Sequence, residues 1–166
     1  MIISLTGFMG CGKTCTGMAL AGRLGWKFID LDAYLEHKMG RSVPELIAEG
    51  ETVFRAREAE AVRDIITMNR IVGGDLVLSL GGGTMEIRSV RPLILEATKC
   101  VYLEAGPEFL RRFLTGTEER RPLLDLSHLE EMLDARRPNY EQAHIKVNAE
   151  LPENELIEKI LESVFI

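Results

Sequence analysis

A glycine-rich octapeptide, GFMGCGKT at residues 7–14, lies between the apolar run Ile2–Thr6 and a helical pattern that begins at Lys13. It matches G-x-x-x-x-G-K-[ST], the P-loop pattern, in which a turn from strand to helix wraps around phosphate groups. Glycines allow backbone N–H groups to approach phosphate oxygens without a Cβ clash, and the helix N-terminus adds partial positive charge. The octapeptide therefore predicts a buried first strand, a following helix and a site for nucleotide phosphates.

The last residues of this octapeptide supply the charged and metal-binding groups of the predicted site. The Lys13 ammonium suits the β- and γ-phosphates, and the Thr14 hydroxyl suits Mg²⁺. We therefore expect ATP and Mg²⁺ to bind here. The residues expected to contact the nucleotide in this part of the chain are Gly10, Cys11, Gly12, Lys13, Thr14 and Cys15. We also hypothesise that Cys11, close to a helix N-terminus, has thiolate character and is oxidisable.

Short apolar runs alternate with helical patterns along the rest of the chain, which is typical of β-α-β units and a parallel sheet. Further strands are predicted at Lys27–Leu31, Leu76–Leu80, Cys100–Leu103 and Ile145–Val147. Further helices are predicted from about Ala33, from Ser42 or Val43, over Glu51–Asn69, Glu86–Ala97, from Pro107, and over Leu129–Ala143 and Pro152–Phe165. The apolar stripe of the helix over Glu51–Asn69 is expected to consist of Val53, Phe54, Val62, Ile65 and Ile66. Because ligands of such sheets bind beyond the carboxyl ends of the strands, functional residues are expected directly after each strand.

The composition is that of one soluble domain, residues 1–166, with 46% hydrophobic and 28% charged residues. The 20 basic and 26 acidic residues leave a net charge of −6, which argues against binding to nucleic acid or a membrane surface. Neither a signal peptide nor an apolar run long enough to cross a bilayer is visible. The three cysteines form no C-x-x-C pair. We therefore expect a cytoplasmic protein with reduced thiols.

Two aspartates, Asp30 and Asp32, follow the second predicted strand. In an extended chain, residues two apart point the same way, so both carboxylates are expected to face one site. One suits the Mg²⁺ shell through water, and the other suits an acceptor hydroxyl. The alternative is that Asp32 caps the next helix, which explains one aspartate but not both.

Several arginines are candidates for binding an anionic substrate. Arg55 shares a helix face with Glu58, and Arg121 and Arg136 lie further along the chain. The planar guanidinium suits a carboxylate in two-pronged contact, although each arginine taken alone favours a surface position over a site position. Three glycines, Gly81, Gly82 and Gly83, follow the third strand and indicate close backbone approach to a small ligand, the alternative being a plain turn.

Together these motifs resemble those of the shikimate kinase family. The matching features are residues 7–14, Asp30-x-Asp32, Phe54-Arg55-x-x-Glu58, Gly81-Gly82-Gly83, Arg121-Pro122-Leu123-Leu124, and Arg136 four residues before Tyr140. The resemblance implies phosphorylation of shikimate at its 3-hydroxyl by ATP, in chorismate and aromatic amino acid biosynthesis. It also implies a monomer with a P-loop, nucleoside-monophosphate-kinase-like α/β/α fold. That fold has a five-stranded parallel sheet in the order 2-3-1-4-5, a substrate-binding lobe at residues 33–60 and a lid at residues 111–124.

The resemblance further implies roles for individual residues. Asp32 would hold the substrate hydroxyls and act as the base, and Asp30 would support Mg²⁺ through water, together with Thr14. The substrate would be contacted by Asp32, Arg55, Gly81, Gly82, Gly83 and Arg136. Arg121 would lie on the lid and reach the transferring phosphate with Lys13, and Arg111 or Arg112, with Arg112 preferred here, would contact the adenine.

Other functions are also compatible with some of these motifs. A gluconate-type kinase or a nucleoside monophosphate kinase would share the P-loop, lobe and lid. A nucleotide-binding module without catalysis would share the P-loop alone. Against the monophosphate kinases stands the combination of Asp30-x-Asp32 with three successive glycines, and a panel of acceptors would distinguish these functions.

Overall fold

The computed structural model describes residues 1–166 and contains one sheet of five parallel strands. The strands are β1 (Ile2–Thr6), β2 (Lys27–Asp30), β3 (Leu76–Ser79), β4 (Lys99–Glu104) and β5 (Ile145–Asn148). They lie in the order β2-β3-β1-β4-β5, which confirms the expected topology. In register, Leu5 of β1 lies between Ser79 of β3 and Val101 of β4. The phosphate-binding octapeptide therefore leaves the sheet from its central strand.

Eight α-helices surround this sheet. They are α1 (Lys13–Leu24), α2 (Leu31–Met39), α3 (Val43–Ala48), α4 (Glu51–Val72), α5 (Arg91–Ala97), α6 (Pro107–Leu114), α7 (Leu129–Tyr140) and α8 (Glu153–Val164). Three short 3-10 turns lie at Thr84–Glu86, Glu118–Arg120 and Leu126–His128. None of the helices combines the length and apolar character needed to cross a membrane.

The core forms between the sheet and its helices because the central strands are apolar on both sides. Every residue of β1 and β3 is buried, as expected for parallel strands covered by helices. Helix α1 lies very close to the sheet at Gly17, where an added Cβ would be 2.9 Å from the Phe28 ring. This close approach, to Phe28 of β2 and Leu5 of β1, packs α1 directly against the sheet.

The predicted boundary between the second strand and the next helix was wrong by one residue for the strand end and by about two residues for the helix start. The strand ends at Asp30 and the helix begins at Leu31, so Asp32 lies in the first turn of α2 and not in extended chain. Asp30 is the N-cap, and its carboxylate accepts a hydrogen bond from the Ala33 N–H at 3.0 Å. The cap is therefore the first aspartate and not the second.

The other differences concern helix limits and faces. The helix predicted over Glu86–Ala97 is a 3-10 turn followed by the shorter α5, and α4 extends beyond Asn69 to Val72. Val53, expected on the apolar stripe of α4, is 42% exposed, whereas the neighbouring Phe54 is buried. Phe165 lies past the end of α8, is half exposed and has its ring edge against Trp26.

Candidate active site

Two adjoining cavities open at the carboxyl edge of the sheet. The phosphate cavity is bounded by the octapeptide and the strand ends, and its lining includes Gly10, Gly12, Lys13, Thr14, Cys15, Asp30 and Phe113. The acceptor cavity is bounded by α3, α4, the three-glycine turn and α7, and its lining includes Val43, Ile47, Phe54, Arg55, Glu58, Gly83 and Arg136. The residues common to both linings are Met9, Asp32, Gly81, Gly82, Arg120 and Arg121. A group bound in one cavity would thus meet a group bound in the other beside Asp32.

The loop of the phosphate cavity is held by its own backbone and by Lys13. The Lys13 ammonium is buried and donates hydrogen bonds to the carbonyls of Gly7 at 2.7 Å and Phe8 at 3.0 Å. Gly12 has a φ of 95° just before α1, a conformation that side chains of L-residues rarely adopt. The chain can therefore turn from strand to helix while the Lys13 side chain folds back over the loop.

Thr14 and Asp30 form an oxygen-rich corner at the rim of the phosphate cavity. The Thr14 hydroxyl donates to Asp30 Oδ2 at 2.6 Å, while Asp30 Oδ1 accepts the capping bond from α2. A hydroxyl and a carboxylate are hard oxygen donors of the kind that Mg²⁺ selects. No cluster of three or more His, Cys, Asp or Glu residues suited to a metal ion occurs in the chain. The corner thus fits an ion that takes most of its ligands from phosphate and water.

Asp32 lies between the two cavities in an unfavourable setting for a negative charge. Burial is the main cause that raises its pKa to about 6, and the nearby Glu58 and Asp30 carboxylates raise it further. Lys13 acts in the opposite direction. A carboxylate with this pKa is largely ionised near neutral pH and retains appreciable basicity.

Glu58 and Arg55 form an ion pair inside the acceptor cavity. The Glu58 side chain is 1% exposed, and its Oε1 accepts from Arg55 Nη1 at 2.8 Å. Burial raises the pKa of Glu58, and Arg55 opposes that effect. Arg55 is in turn held against the three-glycine turn, because a Cβ at Gly83 would overlap its guanidinium. The guanidinium is therefore held between Glu58 and the glycine turn in the wall of the acceptor cavity.

Arg136 brings a second guanidinium to the same cavity from α7. Its guanidinium lies over the Phe8 ring, 5.4 Å from the centroid. Its Nη1 is buried without a hydrogen-bond partner, and an added Cβ at Gly82 would be 3.5 Å from it. Since buried donors are normally paired, this atom indicates that an acceptor from a ligand completes the site. An anion such as a carboxylate matches the charge of Arg55 and Arg136 together.

Comparison with known proteins identifies the family to which this cavity pair belongs. A family model described as shikimate kinase matches residues 9–165. The chain belongs to the shikimate kinase family. It is 39% identical to a shikimate kinase of Salinibacter ruber over 177 residues, covering 99% of this chain and 84% of that protein.

Solved structures of the family agree with this assignment. The fold matches the crystal structure of shikimate kinase from Bacteroides thetaiotaomicron with a TM-score of 0.89 at 30% identity, covering 100% of this chain and 99% of that chain. It matches shikimate kinase from Acinetobacter baumannii in complex with shikimate with a TM-score of 0.86 at 32% identity, covering 97% and 90%. The family expected from the sequence motifs is confirmed.

Most of the residues predicted for the site line the two cavities, but Cys11 and Arg112 line neither. The residues found in the linings are Gly10, Gly12, Lys13, Thr14, Cys15, Asp30, Asp32, Arg55, Gly81, Gly82, Gly83, Arg121 and Arg136. The Cys11 thiol is buried beneath the loop, where an added Cβ at Gly7 would be 2.9 Å from its Sγ. Arg112 is exposed, lies over the Phe109 ring at 5.3 Å and lines neither cavity. The alternative residue, Arg111, is held by Glu130 and by the Leu126 carbonyl. The adenine contact by Arg112 stays a prediction.

Sequence analysis did not place several residues that form the site. Glu58 belongs to the Phe54-Arg55-x-x-Glu58 motif but had no expected role, and its three-residue spacing from Arg55 does not indicate that it is buried. Arg120 lines both cavities beside Arg121. The pKa of Arg121 is lowered mainly by burial and further by the nearby positive charge of Arg120. The apolar walls formed by Val43, Ile47 and Phe54 come from α3 and α4. Their place depends on how these helices pack, which no short motif records.

Proposed function

We propose that this chain transfers the γ-phosphate of ATP to the 3-hydroxyl of shikimate, giving shikimate 3-phosphate and ADP. The observation that carries the proposal is the acceptor cavity, in which Arg55 and the unpartnered Arg136 Nη1 lie beside a P-loop and are separated from it by Asp32. A small acidic alcohol fits this arrangement, because its carboxylate would bind the guanidiniums while a hydroxyl faces Asp32. Membership of the family supports the same substrate.

Asp32 is the proposed base and the residue that orients the acceptor hydroxyl. It lines both cavities, and its pKa of about 6 leaves it ionised at neutral pH and able to accept a proton. Because phosphoryl transfer has a loose transition state, the position of the hydroxyl is expected to matter more than the strength of the base. The raised pKa follows mainly from burial of the carboxyl group between the two cavities.

Positive charge for the transferring phosphate comes from Lys13 and Arg121. Lys13 is expected to exchange its bonds to the Gly7 and Phe8 carbonyls for phosphate oxygens, since those carbonyls form part of the loop that would surround the phosphates. Thr14 and Asp30 would hold Mg²⁺, directly and through water respectively. When bound, that ion neutralises charge on the phosphates.

Residues 33–60 are the proposed substrate lobe, and residues 111–124 are the proposed lid. The lobe supplies Arg55, Glu58 and the apolar walls, while the lid segment supplies Arg120 and Arg121 to both cavities. Closure of the lid would bring the Arg121 charge to the phosphate and exclude water, which otherwise competes with the alcohol as acceptor.

The test is to incubate the protein with ATP, Mg²⁺ and shikimate and to detect the product by mass spectrometry. We expect a product one phosphate heavier than shikimate, with an equal amount of ADP. Gluconate and AMP serve as parallel acceptors, and a product from either of these but not from shikimate would contradict the proposal. ATP binding without transfer to any acceptor would favour a non-catalytic module.

A further inference from the structure

Tyr140, at the end of α7, makes a partly buried hydrogen bond that none of the roles above uses. Its side chain is fully buried, and its hydroxyl donates to the Gly82 carbonyl at 2.5 Å. Burial raises the pKa of Tyr140, so the hydroxyl keeps its proton and remains a donor. The ring stacks on Tyr102 with centroids 5.1 Å apart and planes 29° apart. A phenol confined in this way holds its acceptor in one orientation.

The acceptor of this bond belongs to the turn that faces the substrate. In a trans peptide the carbonyl of one residue and the N–H of the next point in opposite directions. With the Gly82 carbonyl directed at Tyr140, the Gly83 N–H points away from Tyr140. Neither the Gly82 N–H nor the Gly83 N–H donates a hydrogen bond to the protein, whereas the Gly81 N–H is paired with the Thr84 hydroxyl. Two amide donors of the cavity lining are thus left for a ligand.

The same bond anchors the last turn of α7. Arg136 lies on this helix one turn before Tyr140. Pro138 lies inside this helix between the two residues. Proline lacks the N–H that would bond to the preceding turn, so the helix is weakened at that point. The Tyr140 bond to Gly82 therefore supplies a tertiary contact where the helix has lost an internal one. Arg136 itself approaches Gly82 closely.

We propose that Tyr140 is a positioning residue for the acceptor substrate, acting through the Gly82 carbonyl. Its hydroxyl orients the Gly82–Gly83 peptide and holds the end of α7 so that the amide donors and the Arg136 guanidinium meet the same anionic ligand. This proposal rests on the proposed function. The turn needs such an anchor because three successive glycines have more conformational freedom than any other tripeptide.

The test compares Tyr140→Phe with Tyr102→Phe, which removes a phenol hydroxyl from the other ring of the same stack. Tyr102 is also buried, but its hydroxyl makes no hydrogen bond to the glycine turn, whose Gly82 carbonyl accepts from Tyr140. We expect Tyr140→Phe to raise the KM for shikimate about tenfold, with kcat and the KM for ATP changed by less than about twofold. Tyr102→Phe should leave all three within about twofold.

The outcomes separate positioning from general stability and from failure of the proposed function. An unchanged KM for shikimate in Tyr140→Phe, a loss confined to kcat, or an equal rise in Tyr102→Phe would each overturn the positioning role. Thermal unfolding of both variants checks that the proteins compared are folded. Absence of turnover with shikimate in the unsubstituted protein would instead overturn the proposed function.

A measurement on the unsubstituted protein keeps the proposal testable if Tyr140→Phe does not fold. Amide hydrogen exchange followed by NMR should show the Gly83 N–H slowed by shikimate and not by ADP. Exchange at Gly83 that shikimate leaves unaltered would contradict the orientation assigned to this peptide.

Discussion

The phosphate cavity and the acceptor cavity lie side by side but are built in opposite ways. The loop of the first comes from residues 7–14, which are consecutive in the chain. The second combines Asp32 from α2, Arg55 and Glu58 from α4, the glycine turn after β3, and Arg136 from α7. The loop of the phosphate cavity is therefore a local structure, although Asp30, Phe113 and the lid arginines complete its walls. The acceptor cavity has no such local part and exists only when distant segments pack together.

The charged groups of the two cavities also differ in their partners. Lys13 is satisfied by two carbonyls of its own loop, whereas Arg136 Nη1 is buried without an acceptor. On the acceptor side the only close acidic partner of Arg55 inside the cavity is the buried Glu58. The charged group of the phosphate cavity thus has hydrogen-bond partners without a ligand, while the acceptor cavity contains an unpaired donor that a ligand would satisfy.

The largest expected effect comes from removing the one lysine of the phosphate cavity. Lys13→Ala should lower kcat by about a thousandfold or more, because no other residue of the octapeptide carries a full positive charge to the phosphates. Steady-state kinetics with ADP detection measures this loss. Lys159→Ala, at an exposed position of α8, is the matched control and should behave as the parent. A folded Lys13→Ala protein with normal kcat would show that the two cavities do not cooperate as described.

Asp32→Asn is expected to have the next largest effect, since Asp32 is shared by both cavities. Loss of the base should lower kcat by about 10²- to 10³-fold. In the parent protein, kcat/KM for shikimate should fall about tenfold per pH unit below the Asp32 pKa of about 6, because the protonated form cannot accept the proton. The variant should lack this acidic limb. A change only in the KM for ATP would assign Asp32 to the phosphate side alone.

Arg55→Lys tests the acceptor cavity by itself. An ammonium cannot make the two-pronged contact of a guanidinium, so the KM for shikimate should rise about tenfold while the KM for ATP is unchanged. Arg57→Lys, two residues further along α4 and paired with Glu49 at 3.6 Å, is the control and should change neither value. A shikimate analogue without the carboxylate should lose most of its affinity for the parent protein. Equal affinity of that analogue would contradict the guanidinium site.

The smallest expected effect is on stability and has the opposite sign to the loss of activity. Because the pKa of Asp32 is raised from 3.8 to about 6, the folded protein binds a proton more tightly than the unfolded chain. Its stability should therefore fall as the pH rises from about 4 to about 6 and stay lower above that range. Asp32→Asn should raise the Tm at pH 7 by roughly 5 °C. This gain should vanish below about pH 4, and a lower Tm at pH 7 would contradict the cause assigned to the pKa.

The elements that the chain pattern predicts correctly are those that depend on local spacing. The strands β1 and β4, the helix α1 and the start of α3, expected at Ser42 or Val43 and capped by Ser42, follow from apolar runs, glycines and capping residues. The strand order came from the likeness to a family and not from periodicity. The boundary at Asp30 was wrong, because a cap bond to Ala33 competes with one more residue of strand. Val53 was placed on the wrong face of α4 for a related reason, since only packing selects among adjacent apolar residues.

For the candidate site, the chain by itself determined the phosphate loop, because its function depends on backbone amides and charges within residues 7–14. It also identified Asp32, Arg55, the glycine turn and Arg136 as candidates, but not their mutual positions. Only the tertiary structure decided that Glu58 is buried beside Arg55 and that Tyr140 bonds to Gly82, 58 residues away in sequence. The physical reason is that burial and long-range hydrogen bonds arise when separate helices pack on a common sheet edge, and no local spacing encodes that contact.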